Sequence, residues 1–383
     1  MSRRSRNTPY LRARYAVEHA ALRCAAAIVP ALPFHALQAL APLLGCLAHR
    51  IDRRGRSTSA ENLRAAFGES LSLAARRRVA RAAYTSLSRT MLELFWNRRL
   101  SAENHERYIR WNILHPASYE AAKSQGAIWI TPHYGNFEWL AFMAAYRGHQ
   151  FPIIAENFKN PALTPIFRNL RERSGHSVIA QEQALSRLLR HLRRGGHAAL
   201  LTDLTVKPDK AAAVIDCFGL RTCVTRLHAL LAFRLGAPII PALSIPEAGG
   251  RYEFRVWPAL QPSEFPDENA MTQACWNVFE PVIREQPEFW IWMYKHWRHL
   301  PQGTRSSRYP AYANSSRPFD RLDASTPSET PSAKPTDSKT PFQPPGAASS
   351  PAAAHSEHPN PQPEAGPQPE AGGADPSSAS SIP

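Results

Sequence analysis

Five cysteines in 383 residues, an odd number with no CxxC pair, are too few and too scattered for a disulfide framework or a cysteine-bound zinc site. Cys24, Cys46, Cys217, Cys223 and Cys275 read as small apolar residues in a reducing compartment. No zinc finger, RNP-like segment or helix-turn-helix signature is present, so no nucleic acid is expected as a partner. An unbroken apolar run of the ~20 residues that a spanning helix needs is also missing. The nearest is CAAAIVPALPFHALQALAPLLGCLAH, residues 24–49, without Asp, Glu, Lys or Arg. Pro30, Pro33 and Pro42 interrupt it and His35 sits inside it. It predicts two short helices lying in a membrane interface, flanked by Arg12, Arg14, Arg23, Arg50, Arg53 and Arg54. A kinked span and an ordinary helical hairpin packed on the domain are the alternatives. No small-residue cleavage site ends the stretch, so it does not read as a signal peptide.

Acidic residues are scarce: 31 Asp and Glu against 46 Lys and Arg, a net charge of +15. The imbalance is uneven. Residues 315–383 hold four Lys/Arg and eight Asp/Glu, a net of −4, which leaves +19 on the rest. That much charge of one sign asks for an acidic partner, such as an anionic membrane surface or an acidic protein. The same tail is rich in Pro, Ser and Ala, with almost nothing to form a core, and is expected to be disordered. Three regions follow: membrane-associating helices at 1–56, a catalytic-sized domain at 57–310, and a tail at 311–383.

Within the domain the hydrophobic period changes. SAENLRAAFG, with Ser59 as its cap, and the long SLAARRRVARAAYTSLSRTMLELFW read as helices. From residue 127 short apolar strands alternate with helices. The strands are AIWIT (127–131), FPIIA (151–155), HSVIA (176–180), HAALLTD (197–203), PIIPALSIP and RYEFRVWP. The intervening helices are 137–148, 161–175, 184–196 and 225–237, and a last one spans 268–287. This predicts an α/β fold with a mostly parallel central sheet flanked by helices.

One segment of that pattern carries chemistry. A histidine followed five positions later by an acid occurs twice, at His115…Glu120 and His133…Glu138, and composition alone produces about one such match. Context separates the two. His115 precedes a proline and a surface helix. His133 falls just beyond a buried strand, where open α/β sheets bind ligands. In HYGNFE, Gly135 permits a tight turn, Asn136 is a good helix cap, and Glu138 lies in the first helical turn, where the dipole favours negative charge. A carboxylate there can fold back onto the imidazole, which is half of a hydrolase-type triad. No GxSxG occurs, and no serine or cysteine beside His133 looks like an activated nucleophile. The substrate would then supply the hydroxyl, which means acyl transfer to an alcohol. A histidine merely satisfied in a loop by a capping glutamate is the plain alternative.

HYGNFE and its surroundings resemble the bacterial lipid A biosynthesis late acyltransferases, within the lysophospholipid acyltransferase-like superfamily. The family's H-x-G-N-W/F-E box is met by His133, Gly135, Asn136 and Glu138. ENLRAAFG, NPALTPIFRNLRERSG, LRRGGHAALLTD, CFG, LAFRLGAPIIP and QPEFWIWMYKHWR resemble further family segments, in order, across roughly residues 15–302. The chain departs from the family at Asp203-Leu204, usually Asp-Gln, and at Trp292–His296, usually W-x-H-R-R. These changes bear on the acceptor more than on the reaction. The resemblance implies an O-acyltransferase on the cytoplasmic face of the inner membrane. It would use acyl carrier protein or coenzyme A as acyl donor, with no metal and no other cofactor. Its acceptor would be a lipid A precursor or another glycolipid or phospholipid. His133 would be the general base and Glu138 would orient it. Arg171 and Arg173 would bind phosphate or an oxyanion, with Gly135, Asn136 and Asp203 near the substrate. A membrane-associated lipid hydrolase and an inactive basic membrane-binding adaptor are the rival readings.

Overall fold

The computed structural model describes residues 8–155, 158–180, 184–304 and 307–324. Four helices open it: α1 (Pro9–Ile28), α2 (Phe34–Ile51), α3 (Arg53–Phe67) and α4 (Leu73–Trp96). Three start on a side-chain cap, from Thr8, Asp52 and Ser72. The cap expected at Ser59 is misplaced, because Asp52 caps as well as serine and the arginines after it are good helix formers. Ser59 is buried inside α3, and the boundary drawn at residue 56 falls within that helix.

Helix α2 lies directly on α4. A Cβ on Gly45 would sit 2.5 Å from the Cα of Thr85, so the two backbones approach more closely than any side chain allows. Leu37, Ala41 and Gly45 face α4 at four-residue spacing and are buried. Leu43, Leu47 and Ile51 recur at the same spacing on the other side and are exposed. Pro42 is accommodated inside the helix. No helix among the described residues is long and apolar enough to cross a membrane.

The alternation then runs β1 (Ile109–Ile113), α5 (Pro116–Gln125), β2 (Ile128–Thr131), α6 (Phe137–Tyr146), β3 (Pro152–Ala155), α7 (Thr164–Glu172), β4 (Ser177–Ala180), α8 (Ala184–Leu192) and β5 (Ala198–Leu201). It continues through a hairpin, β6 (Ala212–Cys217) and β7 (Leu220–Thr225), to α9 (Leu227–Leu235), β8 (Ile239–Pro246), β9 (Tyr252–Val256) and α10 (Glu268–Glu285). Seven strands form one sheet in the order β1-β9-β8-β2-β5-β3-β4. Every neighbouring pair is parallel except β8 with β9. The mostly parallel α/β sheet is as expected. Alternation along β2 serves both faces. Ile128 and Ile130 join Leu188, Ala229 and Phe279 on one side, while Trp129 joins Leu37, Trp139 and Phe167 on the other.

Two elements lie outside the expected set. β1 is an edge strand reading IRWNI, mostly half-buried, so it has no apolar run to betray it. The β6–β7 hairpin turns at Phe218-Gly219, both with positive φ (56° and 73°). Such a turn ordinarily announces itself by Asn-Gly, and phenylalanine hides it.

The domain also extends beyond residue 310. Two short strands, β10 (His299–Leu300) and β11 (Asn314–Ser315), pair in parallel, and α11 (Arg317–Ala324) follows. Phe319 is fully buried against Ala212, Val214 and Cys223. Composition had placed these residues in the disordered tail; one aromatic anchor on a short helix is enough to correct that. The remainder of the tail, 325–383, lies outside the described residues.

Candidate active site

Strand β2 ends at Thr131, and the chain turns through residues 132–136 into α6. Gly135 sits at φ +54°, where a Cβ would lie 1.8 Å from the carbonyl oxygen of Ser244 on β8. Only glycine fits. Gly135→Ala should cost about 3 kcal/mol or more, read as a large fall in the thermal midpoint or loss of soluble protein. Asn136 caps α6, its Oδ1 accepting from Trp139 N at 2.9 Å. From behind, Thr90 Oγ1 donates to Gly135 O (3.0 Å) and Asn136 Nδ2 donates to Glu93 Oε2 (2.5 Å).

His133 lies in that turn, its side chain 15% exposed. Its Nδ1 is 2.7 Å from Asp203 Oδ1, and its backbone N–H donates to Asp203 Oδ2 at 2.9 Å. Asp203 stands just past β5, the immediate neighbour of β2, so both residues emerge from the carboxyl ends of adjacent parallel strands. Trp290 Nε1 donates a third hydrogen bond to Asp203 Oδ2 at 2.8 Å. Burial would raise the Asp203 carboxyl, but the charge of His133 and its two hydrogen bonds win and bring it down to about 2. Asp203 is therefore an ionised, acceptor-only group. The hydrogen in its bond to His133 must come from Nδ1, which leaves Nε2 as the basic nitrogen.

The carboxylate on His133 is thus Asp203 and not Glu138. Glu138 makes a two-point ion pair with Arg171, with Nε to Oε2 at 3.0 Å and Nη2 to Oε1 at 2.5 Å. A planar guanidinium matches a carboxylate better than an imidazole does, and α7 delivers Arg171 to the first turn of α6. Burial works against the charge of Arg171, and Glu138 more than offsets it. A small pocket beside this pair is walled by Leu94, Ala141, Phe142, Ile153 and His176. Arg173 does not join them; it caps the end of α7 and is exposed. Gly135 and Asn136 shape the turn.

Trp290 escaped the sequence reading, as did what holds it. The ring of His296 stacks on it at 3.9 Å. Burial lowers His296 to about 4, so it stays neutral beside Asp203. Phe218, at the hairpin turn, stacks on Trp290 at 5.8 Å and meets Trp292 and Trp297 edge-on. The available signal was the density of tryptophans in FWIWMYKHW, which marks a buried aromatic wall. Among the described residues no group of three or more His, Cys, Asp or Glu is placed to hold a metal ion.

The family model described as "Bacterial lipid A biosynthesis acyltransferase" matches residues 4–299. The chain belongs to that family. Phosphatidylinositol mannoside acyltransferase of Mycobacterium tuberculosis is 29% identical over 182 residues, 46% of this chain and 56% of that protein. Lipid A biosynthesis acyltransferase of Haemophilus influenzae is 24% identical over 177 residues, 45% of this chain and 55% of that protein. The chain spans about half the length of the curated relatives it matches. Among solved structures, the 1-acyl-sn-glycerophosphate acyltransferase of Thermotoga maritima matches with a TM-score of 0.31 at 13% identity, over 66% of this chain and 97% of that one. Family membership agrees with the resemblance read from HYGNFE and the segments around it. In this member of the bacterial lipid A biosynthesis acyltransferases, the histidine of the box is paired with Asp203, which lies outside it.

Proposed function

We propose that this protein transfers a fatty acyl chain from an acyl thioester to a hydroxyl of a lipid A precursor or related glycolipid at the cytoplasmic face of the inner membrane. The observation that carries the reading is His133 Nδ1 held 2.7 Å from a buried, ionised Asp203 at the end of the sheet. Nε2 of His133 takes the proton from the acceptor hydroxyl as its oxygen attacks the thioester carbonyl. Asp203 stabilises the imidazolium so formed without taking its proton. The tetrahedral intermediate collapses, the thiolate leaves, and the imidazolium returns the proton to it. Arg171, with Nε and Nη2 committed to Glu138, keeps Nη1 for an oxyanion or a phosphate.

The surface supports the setting. Leu43, Leu47 and Ile51 form an exposed apolar row on α2, continued by the exposed arginines Arg50, Arg53 and Arg54. Such a row lies in a headgroup layer, with the guanidinium groups on anionic lipid. Arg187, Arg190, Arg193 and Arg194 on and after α8 are exposed as well. They suit an acidic donor, either acyl carrier protein or the phosphates of coenzyme A.

The test is mass spectrometry of lipids from a host lacking its own late acyltransferase, expressing this chain or its His133→Ala variant. One lipid class should gain an acyl mass with the wild type and not with the variant. Free fatty acid released in place of that product would instead mean hydrolysis, and no change in any lipid would sink the reading.

A further inference from the structure

Glu93 is fully buried in α4, with Leu92, Leu94 and Phe95 buried beside it in the chain. A leucine would fill such a position without the cost of removing a carboxylate from water. The carboxylate is instead surrounded by donors from three other elements. Oε1 accepts from Gln38 Nε2 of α2 at 2.7 Å. Oε2 accepts from Asn136 Nδ2 and from the Tyr252 hydroxyl of β9, both at 2.5 Å. The main-chain oxygen of Glu93 accepts from Trp139 Nε1 of α6 at 3.1 Å. One turn earlier on the same helix, Thr90 donates to Gly135 O. The α4 helix thus grips both residues that follow Tyr134 in the turn, while Asp203 grips the His133 end of it.

We propose that Glu93 is a positioning residue for acyl transfer, holding the Asn136 turn so that His133 stays aligned with Asp203 and the substrate hydroxyl. The inference rests on the acyltransferase reading above. Without Glu93 the Asn136 side chain loses its anchor on α4, leaving the Asn136 end of the turn less constrained, and displacements of about 1 Å at a proton-transfer site cost about 10²-fold in rate. The charge that faces Glu93 is Arg89 on its own helix; the groups from α2, α6 and β9 are neutral donors. Burial raises its carboxyl to about 7, against the lowering effect of those hydrogen bonds and of Arg89. The protonated acid keeps its grip on Asn136, because the amide of Gln38 can turn to accept the new hydrogen. A glutamine at this position can do the same.

The experiment is steady-state kinetics of the purified full chain with an acyl thioester and the acceptor lipid that the host assay reveals. Glu93→Leu should lower kcat about 10²-fold with KM within about twofold, and Glu93→Gln should recover at least about a third of the wild-type kcat. Thr90→Val is the second probe if Glu93→Leu does not fold, with an expected loss of about tenfold in kcat and none in KM. A purely structural role would lower the thermal midpoint but leave kcat per folded molecule unchanged. That result, or a glutamine variant as slow as the leucine one, overturns the proposal. No turnover by the wild type would instead sink the reaction itself.

Discussion

Asp203→Asn should lower the turnover of acyl transfer by about 10⁴-fold, the loss seen when a catalytic imidazole is left in the wrong tautomer. The argument is one of donors and acceptors. Oδ2 of Asp203 receives two hydrogens, from the His133 backbone and from Trp290. The oxygen of an asparagine would be held on that side by both. Its NH2 would then face His133 Nδ1, where Oδ1 now accepts. Nδ1 would become the acceptor, the ring hydrogen would move to Nε2, and the base would be lost with little change in shape. The expected signature is a collapse in kcat, KM within about twofold, and a thermal midpoint near that of the wild type. His133→Ala should cost as much, and the double variant scarcely more, because the two act as one unit. A near-normal rate for Asp203→Asn would rule out His133 as the base. Asp203 is depressed to about 2 from 3.8, so the stability it contributes is complete above its unfolded value and lost only as pH falls through about 2. The acid limb of kcat/KM therefore belongs to a group other than Asp203.

The second large effect falls on stability. Glu138→Ala leaves Arg171 without its carboxylate partner, in a site where the two side chains are 22% and 8% exposed. Removing one member of a pair buried to this degree should cost about 3 kcal/mol. Glu138→Ala combined with Arg171→Met should restore most of that, since an apolar side chain tolerates the pocket formed by Leu94, Phe142 and Ile153. Chemical denaturation of the four members of the cycle measures the coupling. If Glu138→Ala unfolds at the wild-type denaturant concentration, the ion pair contributes nothing and Glu138 must be reconsidered as a partner of His133.

The difference between these two acids shows how far the sequence could be read. The histidine, the glycine, the capping asparagine and the end of a buried strand were all legible, because each is a local property of HYGNFE. So was the parallel sheet, from strands and helices in alternation. The partner of His133 was not legible. Asp203 lies 70 residues away, and in sequence two other strands, β3 and β4, come between. Only the order β2-β5-β3-β4 makes β5 the neighbour, and no periodicity encodes strand order. Glu138, nearer in sequence, was the obvious partner until α7 supplied an arginine. Glu93 left a faint trace, an acid inside the apolar run MLELFW. Its meaning depends on α2 and β9, which reach it from 55 and 159 residues away.

The sheet order has one more consequence. The base and its carboxylate stand just past the ends of the central strands β2 and β5, while β3 and β4, encoded between them, lie outboard towards the edge of the sheet. The spacing of the two reacting side chains is thus set by the register of neighbouring strands, Thr131 beside Leu201, and not by the length of chain between them.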